Sequence, residues 1–232
     1  MESSVKEIKT LLRYPGGKTR GMSQILPHLT GHDVVVSPFF GGGVLEIALA
    51  RRGVRVHAYD AMEPLVNFWD WVKRDPMKLA DMVGRYQNVD KEEYYRMRND
   101  LRDYFFYPGI MNAAKFFVTN RLSFGGVFSS GYSYHAAKRT DMLSGAEKIR
   151  NFNFPDTLTV EQQDFADTLN KHREEFLYCD PPYMNAKAVL YGFRGELHKN
   201  FDHEKLQRLL SQRNKWVLSY GDCPEVRQMY SG

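Results

Sequence analysis

Asp33-Val-Val-Val-Ser-Pro-Phe-Phe-Gly-Gly-Gly-Val44 is the stretch that decides the architecture. Residues 33–37 form a short β-branched run that stops at Pro38, which has no N–H to give to a ladder, and they predict a buried strand. A glycine-rich turn, Phe39-Phe-Gly-Gly-Gly43, follows it. Residues 44–52 then place Val44, Leu45, Ala48 and Leu49 at helical spacing, and Gly53 closes that helix as glycine commonly does one position past the end. Residues 54–59 predict a second strand, closed by Asp60. Strand, glycine turn, helix and strand in this order make the βαβ unit of a doubly wound parallel sheet.

Downstream, residues 62–122 read mainly as helices. Leu65, Phe68, Trp69 and Val72 share one face, and Met111-Asn-Ala-Ala-Lys-Phe-Phe-Val-Thr-Asn-Arg-Leu122 is another apolar helix. Residues 123–155 change character, with Gly125, Gly126, Gly131, serines, aromatics and basic residues in little periodicity, and are expected to be surface loops of an inserted lobe. The α/β pattern resumes with strands at 157–160 and 176–179, a helix at 202–210 capped by Asp202, and a strand at 215–220. Residues 1–61 and 156–232 are thus expected to form one α/β domain, interrupted by an insert at 62–155.

The 232 residues are 43% hydrophobic and 26% charged, enough apolar surface to bury a core. The net charge of +4 permits a polyanionic partner without requiring one. Cys179 and Cys223 form no CxxC pair, which argues against a disulfide scaffold or structural zinc and fits a reducing cytosol. The first twelve residues alternate in charge and do not resemble a signal peptide, and no stretch reaches eighteen uninterrupted apolar residues, so a cytoplasmic protein is expected. His57, His198 and His203 lack ligand spacing to any carboxylate or cysteine cluster, so no metal is expected.

Two features carry chemistry. Asp60 lies nineteen residues after Gly41, at the tip of the next strand, where a carboxylate accepts bonds from ribose hydroxyls. With the turn's glycines letting backbone approach a ligand and the next helix offering free N–H groups, this points to a nucleoside-containing cofactor. The second feature is Asp180-Pro-Pro-Tyr183 after the apolar strand at 176–179. Pro181 and Pro182 stiffen the backbone and remove two donors, leaving carbonyls, a carboxylate and an aromatic ring. Such a strand end suits an exocyclic amino group on a planar ring. The Asp180 carboxylate and the Pro181 carbonyl accept its two protons, which points the nitrogen lone pair at an activated methyl, and Tyr183 offers a ring for a base flipped out of a duplex.

With these motifs in place the chain resembles the Dam-like adenine-specific DNA methyltransferases over nearly its whole length. Arg13-Tyr-Pro-Gly-Gly-Lys18 looks like the family's N-terminal motif, which helps hold the methionine part of S-adenosylmethionine. That match implies cofactor roles for Tyr14, Pro15, Gly16, Gly17 and Lys18. Pro38, Phe39, Gly41, Gly42 and Gly43 look like the glycine motif, and Asp60 like the ribose-binding acid. Gln163-Asp-Phe165 resembles the segment flanking the cofactor's adenine, which implies roles for Asp164 and Phe165. Asp180 to Tyr183 matches the catalytic tetrad, with Asp180 also touching the cofactor. Asn120-Arg-Leu-Ser-Phe-Gly-Gly126 is similar to the stretch opening the recognition region.

The resemblance implies a Rossmann-like methyltransferase sheet with a mainly helical target-recognition lobe. It also implies S-adenosylmethionine as cofactor and double-stranded DNA in a bacterial or phage-infected cell as substrate. Asn120, Arg121, Ser123, Lys138 and Arg139 are the expected DNA-binding residues. Phe124, Phe128, Tyr132, Tyr134 and His135 are interleaved with them, a mixture that suits phosphate contact and filling of the gap left by a flipped base. Three departures accompany the match. Ser37 stands where many relatives have an acidic residue before Pro-Phe. The segment after Gly126 is short, so no recognition sequence carries over. Relatives also continue past the position of Gly232 through a closing β-hairpin. Two alternatives stay open: an RNA- or cytosine-amino methyltransferase of the same fold, whose relatives carry serine or asparagine at the position of Asp180, or a catalytically weakened DNA- and cofactor-binding relative.

Overall fold

A computed structural model describes residues 10–102, 107–128, 130–184, 191–192 and 196–231. The charged amino-terminal stretch, up to residue 9, lies outside them. Helix α1 (Met22–Leu29) precedes β1 (Val34–Ser37), α2 (Val44–Ala50) and β2 (Arg55–Asp60). Then come α3 (Glu63–Arg74), α4 (Pro76–Gly84), α5 (Lys91–Arg102) and α6 (Ile110–Leu122). A 3₁₀ turn (Phe124–Gly126), α7 (Tyr134–Arg139) and α8 (Met142–Arg150) lead to β3 (Leu158–Gln162) and α9 (Phe165–Lys171). The chain closes with β4 (Phe176–Cys179), α10 (Glu196–Lys199), α11 (His203–Ser211), β5 (Trp216–Leu218) and α12 (Pro224–Met229).

The five strands run in the order β3-β2-β1-β4-β5, and every neighbouring pair is parallel. This is the expected Rossmann-like α/β sheet. Strand side chains alternate between two cores, as a two-residue period demands. Val35, Val56, Ala58 and Tyr178 face a large cluster with α2 and α3, whereas Val36, Tyr59, Leu177 and Cys179 face α9 and α11. Both faces are covered, which is why these strands are apolar throughout. Leu65, Phe68, Trp69 and Val72 of α3 are buried in the larger cluster as their spacing predicts. The winding reverses between β1 and β4, where Val35 pairs with Phe176 and Val36 with Leu177. In doubly wound sheets the crevice for a ligand opens at such a reversal, beyond the carboxyl ends of the strands.

Residues 123–155 depart from the expected loops, because α7 and α8 occupy much of this segment. Ser133 and Asp141 start the two helices by accepting the N–H groups of Ala136 and Leu143. Met142, Ala146 and Ile149 are buried, and α8 packs along α4, with Arg150 paired to Asp81 at 2.7 Å. The interrupting Ser144-Gly145 hides this helical spacing in the sequence. A Cβ at Gly145 would lie 3.0 Å from Cε1 of Phe117, so the glycine permits close approach to α6 at the cost of helix propensity. The final strand is shorter than the expected 215–220: just past its end Ser219 still donates its N–H to the Cys179 carbonyl at 2.8 Å, and the side chains of Ser219 and Tyr220 bond Tyr183 and His203. No helix among the described residues is long and apolar enough to cross a membrane.

Candidate active site

Beyond the carboxyl ends of β1, β2, β3 and β4 lies a cleft of about 430 Å³, of the size that takes a ligand of drug-like or nucleoside dimensions. Each strand end contributes to it. After β1 come Pro38 and the glycine turn, and at the tip of β2 comes Asp60. After β3 come Asp164 and Phe165, and after β4 come Asp180 and Pro182. The segment 14–18 closes one side, so every residue expected to hold the cofactor lines this one cavity. Of the tetrad, Pro181 and Tyr183 lie outside the lining. Tyr183 sits beside it, its ring 5.1 Å from Nζ of Lys18 and stacked on Tyr220 with 5.6 Å between centroids.

The glycines have a use beyond ligand approach. A Cβ at Gly41 would fall 2.6 Å from Cε1 of Tyr14, and one at Gly42 2.8 Å from the Tyr14 Cβ. Gly41 and Gly43 also take positive φ, 52° and 68°. The bare turn is therefore the seat on which the ring of Tyr14 rests. Two further contacts brace this seat: Nε1 of Trp69 donates to the Gly41 carbonyl at 3.3 Å, and Oγ1 of Thr10 donates to the Gly42 carbonyl at 2.7 Å.

The ionisable residues lining the cavity include Asp60, Asp180, Lys18 and Glu46. Asp60 accepts the Gly41 N–H on Oδ2 and the Met62 N–H on Oδ1, both at 2.9 Å, and burial pushes its carboxyl up to about 6. Asp180 is paired through Oδ2 with Lys18 at 2.5 Å, whereas Oδ1 is buried and accepts no hydrogen bond among the described residues. Burial raises Asp180 to about 6 against the pull of the Lys18 ammonium. Burial also works to lower Lys18, but the Asp180 carboxylate outweighs it and holds the ammonium above its ordinary range. Glu46 is the fourth and was missed. It projects from the first turn of α2 into the lining, accepts the Ser37 hydroxyl at 2.7 Å, and is raised by burial to about 7. Its signal in the sequence was one acid amid the apolar residues 44–50.

The cleft's outer wall was also missed. Tyr191 stacks on Tyr14 at 5.8 Å and donates to the Pro15 carbonyl at 3.2 Å, and Phe201 sits 5.0 Å from Phe165, which stacks on Phe39 at 5.8 Å. These residues come from the segment that follows the tetrad, where the sequence has no periodicity to read.

The cleft thus brings together a strand-end carboxylate with one unbonded buried oxygen, a glycine turn and a second strand-end acid. Residues 14–232 match the model of the D12 class N6 adenine-specific DNA methyltransferase family. The chain belongs to this family. Among similar proteins, a DNA N-6-adenine-methyltransferase of Escherichia phage P1 is 24% identical over 96% of the chain, which spans 31% of that protein. Type II methyltransferase M1.LlaDCHI of Lactococcus lactis subsp. cremoris is 24% identical over 91% of the chain and 82% of its own length. A DNA adenine methylase of Vibrio cholerae is 23% identical over 98% of the chain and 87% of its own length.

The residues expected at DNA in this D12-class chain fall into two groups. Asn120 and Ser123 are 3% and 1% exposed and do not reach the surface. The Asn120 side chain accepts the Arg13 N–H at 3.0 Å and donates to the carbonyls of Arg13 at 2.7 Å and Gly126 at 2.9 Å. It therefore fastens the amino-terminal motif to the end of α6. Arg121 is half-buried, with its guanidinium over the Phe117 ring, whereas Lys138 and Arg139 are exposed on α7. Of the interleaved aromatics, Phe128 is buried and Phe124 and Tyr134 are 73% and 63% exposed.

Proposed function

We propose that this D12-class chain transfers a methyl group from S-adenosylmethionine to the 6-amino group of an adenine flipped out of double-stranded DNA. The observation that carries the reading is Asp180, a cleft carboxylate with one oxygen held by Lys18 and the other buried and unengaged. The cofactor fits the residues around it. Asp60 keeps lone pairs beyond its two backbone bonds for ribose hydroxyls. Phe39, Asp164 and Phe165 suit the adenine ring, and Tyr14 to Lys18 with Pro38, Gly41, Gly42 and Gly43 suit the methionine side. When bound, S-adenosylmethionine supplies an electrophilic methyl on its sulfonium.

The chain's own part is orientation and electrostatics. Oδ1 of Asp180 accepts one hydrogen of the adenine amino group and the Pro181 carbonyl accepts the other, which draws the nitrogen lone pair out of conjugation. Pro181 and Pro182 keep competing N–H donors away from this spot. Lys18 holds the carboxylate in place, and Tyr183 backed by Tyr220 offers a stacking surface for the flipped base. In domain terms, residues 1–61 and 156–232 form the catalytic unit and 62–155 the target-recognition part. Within that part Arg121, Lys138 and Arg139 meet phosphates, and Asn120 and Ser123 act from within by fixing the end of α6 that carries Arg121. Bacterial and phage relatives favour a cytoplasmic setting. The direct test incubates the chain and labelled donor with duplex DNA, single-stranded DNA and RNA. 6-Methyladenine formed on duplex DNA is expected, and label confined to RNA or to cytosine would refute the reading.

Two further outcomes are expected. Ionised Asp180 is the stronger acceptor for the amino hydrogen, and burial raises its carboxyl to about 6. The turnover rate should therefore rise with pH through about 6 and fall away below it; a rate flat from pH 5 to 7 would contradict this role. Phe124 is the most exposed aromatic among the described residues of 120–155, on a turn held by Ser130 Oγ and the Gly131 carbonyl. Its ring is suited to fill the gap left by the extruded adenine. Phe124→Ala should leave the melting temperature unchanged but weaken duplex binding about 5- to 100-fold, the worth of one stacked base. It should also reduce the fluorescence rise of 2-aminopurine at the target position. Unaltered affinity and fluorescence would exclude Phe124.

A further inference from the structure

Glu46 is a buried acid with no ion pair among the described residues, in a cleft where the other acids are engaged. Asp180 is neutralised by Lys18, and Asp60 holds two backbone N–H groups. Glu46 accepts the hydroxyl of Ser37, itself fully buried, and a backbone N–H, and the Lys18 ammonium, already paired with Asp180, acts on it only through space. A carboxylate taken out of water without a cation is costly, and nothing in α2 requires one, since its neighbours Val44, Leu45, Ile47, Ala48 and Leu49 are buried apolar residues of the core. Such a group is explained if a cation arrives with the ligand. Burial raising its carboxyl to about 7 is the expected state of an acid whose cation is not yet in place.

We propose that the Glu46 carboxylate, oriented by the Ser37 hydroxyl, binds the α-ammonium of the methionine part of the methyl donor. The proposal rests on the S-adenosylmethionine reading above. Glu46, in the first turn of α2, lines the cleft, and its 2.7 Å bond to the buried Ser37 hydroxyl ties it to the end of β1. A carboxylate offered from the helix thus serves the place where the strand end offers only a hydroxyl. Glu46 is a positioning and affinity residue in this scheme, remote from the transferred methyl.

The test measures binding by calorimetry for three ligands: S-adenosylmethionine, S-adenosylhomocysteine, and methylthioadenosine, which keeps the nucleoside but has no ammonium. Glu46→Gln keeps the shape and removes the charge. It is expected to weaken the first two ligands equally, about 10- to 100-fold, the worth of a charge-assisted hydrogen bond, and to leave methylthioadenosine unchanged. Ser37→Ala, which leaves the carboxylate but not its orientation, should show the same selectivity with a smaller loss. Equal loss of all three ligands, whether by misfolding or by collapse of the turn, would make Glu46 structural and overturn the proposal. So would a loss confined to S-adenosylmethionine, which places Glu46 at the sulfonium, or no loss at all. If the unaltered chain binds neither S-adenosylmethionine nor S-adenosylhomocysteine, the functional reading itself fails, an outcome separate from these.

Discussion

Asp180→Asn is expected to lower the methylation rate on duplex DNA by about 10²- to 10⁴-fold, the span associated with a positioned proton acceptor, while the chain still binds S-adenosylmethionine. The amide keeps the side chain's volume but replaces an anion by a neutral group that presents one acceptor oxygen and one donating NH₂. A donor turned toward the adenine amino group opposes it, and an oxygen turned toward it has lost the charge that favoured the pyramidal nitrogen. The change also removes the negative charge that faces Lys18 at 2.5 Å, leaving its ammonium the neutral Gly16 carbonyl at 2.7 Å, and the two side chains are only 14% and 20% exposed. A lower melting temperature is expected in consequence, because an ammonium left unpaired in this setting pays its desolvation without return. Single-turnover methylation, calorimetric donor binding and thermal melting separate these effects. Donor binding retained with the rate lost supports the assignment. A rate within a few-fold of the unaltered chain would remove Asp180 from the chemistry.

Asp60→Asn should show the converse pattern, a loss of donor affinity of about 10- to 100-fold with a smaller effect on rate at saturating donor. Asp60 has two tasks at the tip of β2. Its two oxygens each take a backbone N–H at 2.9 Å, from Gly41 and Met62, and so tie the glycine turn to the start of α3. The remaining lone pairs face the cleft. An asparagine has one carbonyl oxygen for two N–H groups, so one of these buried donors is left unmet, at a cost of about 1–3 kcal/mol in stability. The turn that seats Tyr14 then loosens as well, which adds to the loss of binding. Unchanged affinity for both S-adenosylmethionine and S-adenosylhomocysteine would show that the ligand's ribose lies elsewhere.

The two substitutions differ because the acids differ in their partners, and that difference was invisible before the fold was known. Both were found from sequence as acids at the ends of apolar strands. Their carboxyls are both raised by burial to about 6. What separates them is that each oxygen of Asp60 already takes a backbone N–H, whereas Asp180 keeps Oδ1 unengaged.

Local patterning was enough for much of the fold. The β-branched run before Pro38, the helical spacing from 44 and the glycine at 53 are each set by steric preferences of neighbouring residues, so β1, α2 and β2 were legible to within one or two residues, α2 ending at Ala50 ahead of a turn through Gly53. Asp202 was legible as a cap for the same reason, and accepts the Lys205 N–H at 2.8 Å. Where a packing demand overrode local propensity, legibility ended. Gly145 stands in α8 because Phe117 needs its missing Cβ, and the sequence there looked like a loop. Asn120 has the sequence context of a DNA contact, yet a buried amide must satisfy its hydrogen bonds, and Arg13 and Gly126 satisfy them.

By itself, the order of residues determined the strand ends, the glycine turn and the acids that terminate β2 and β4, since each follows from short-range backbone chemistry. Only the tertiary structure decided which of these ends meet. Pairing of β1 with β4 sets 38–43 beside 180–183 across more than a hundred residues of chain. Such a pairing depends on which apolar faces bury each other, a long-range balance that no local window contains. The same balance buried Glu46 beside Ser37 and turned an ordinary-looking helix residue into part of the cleft.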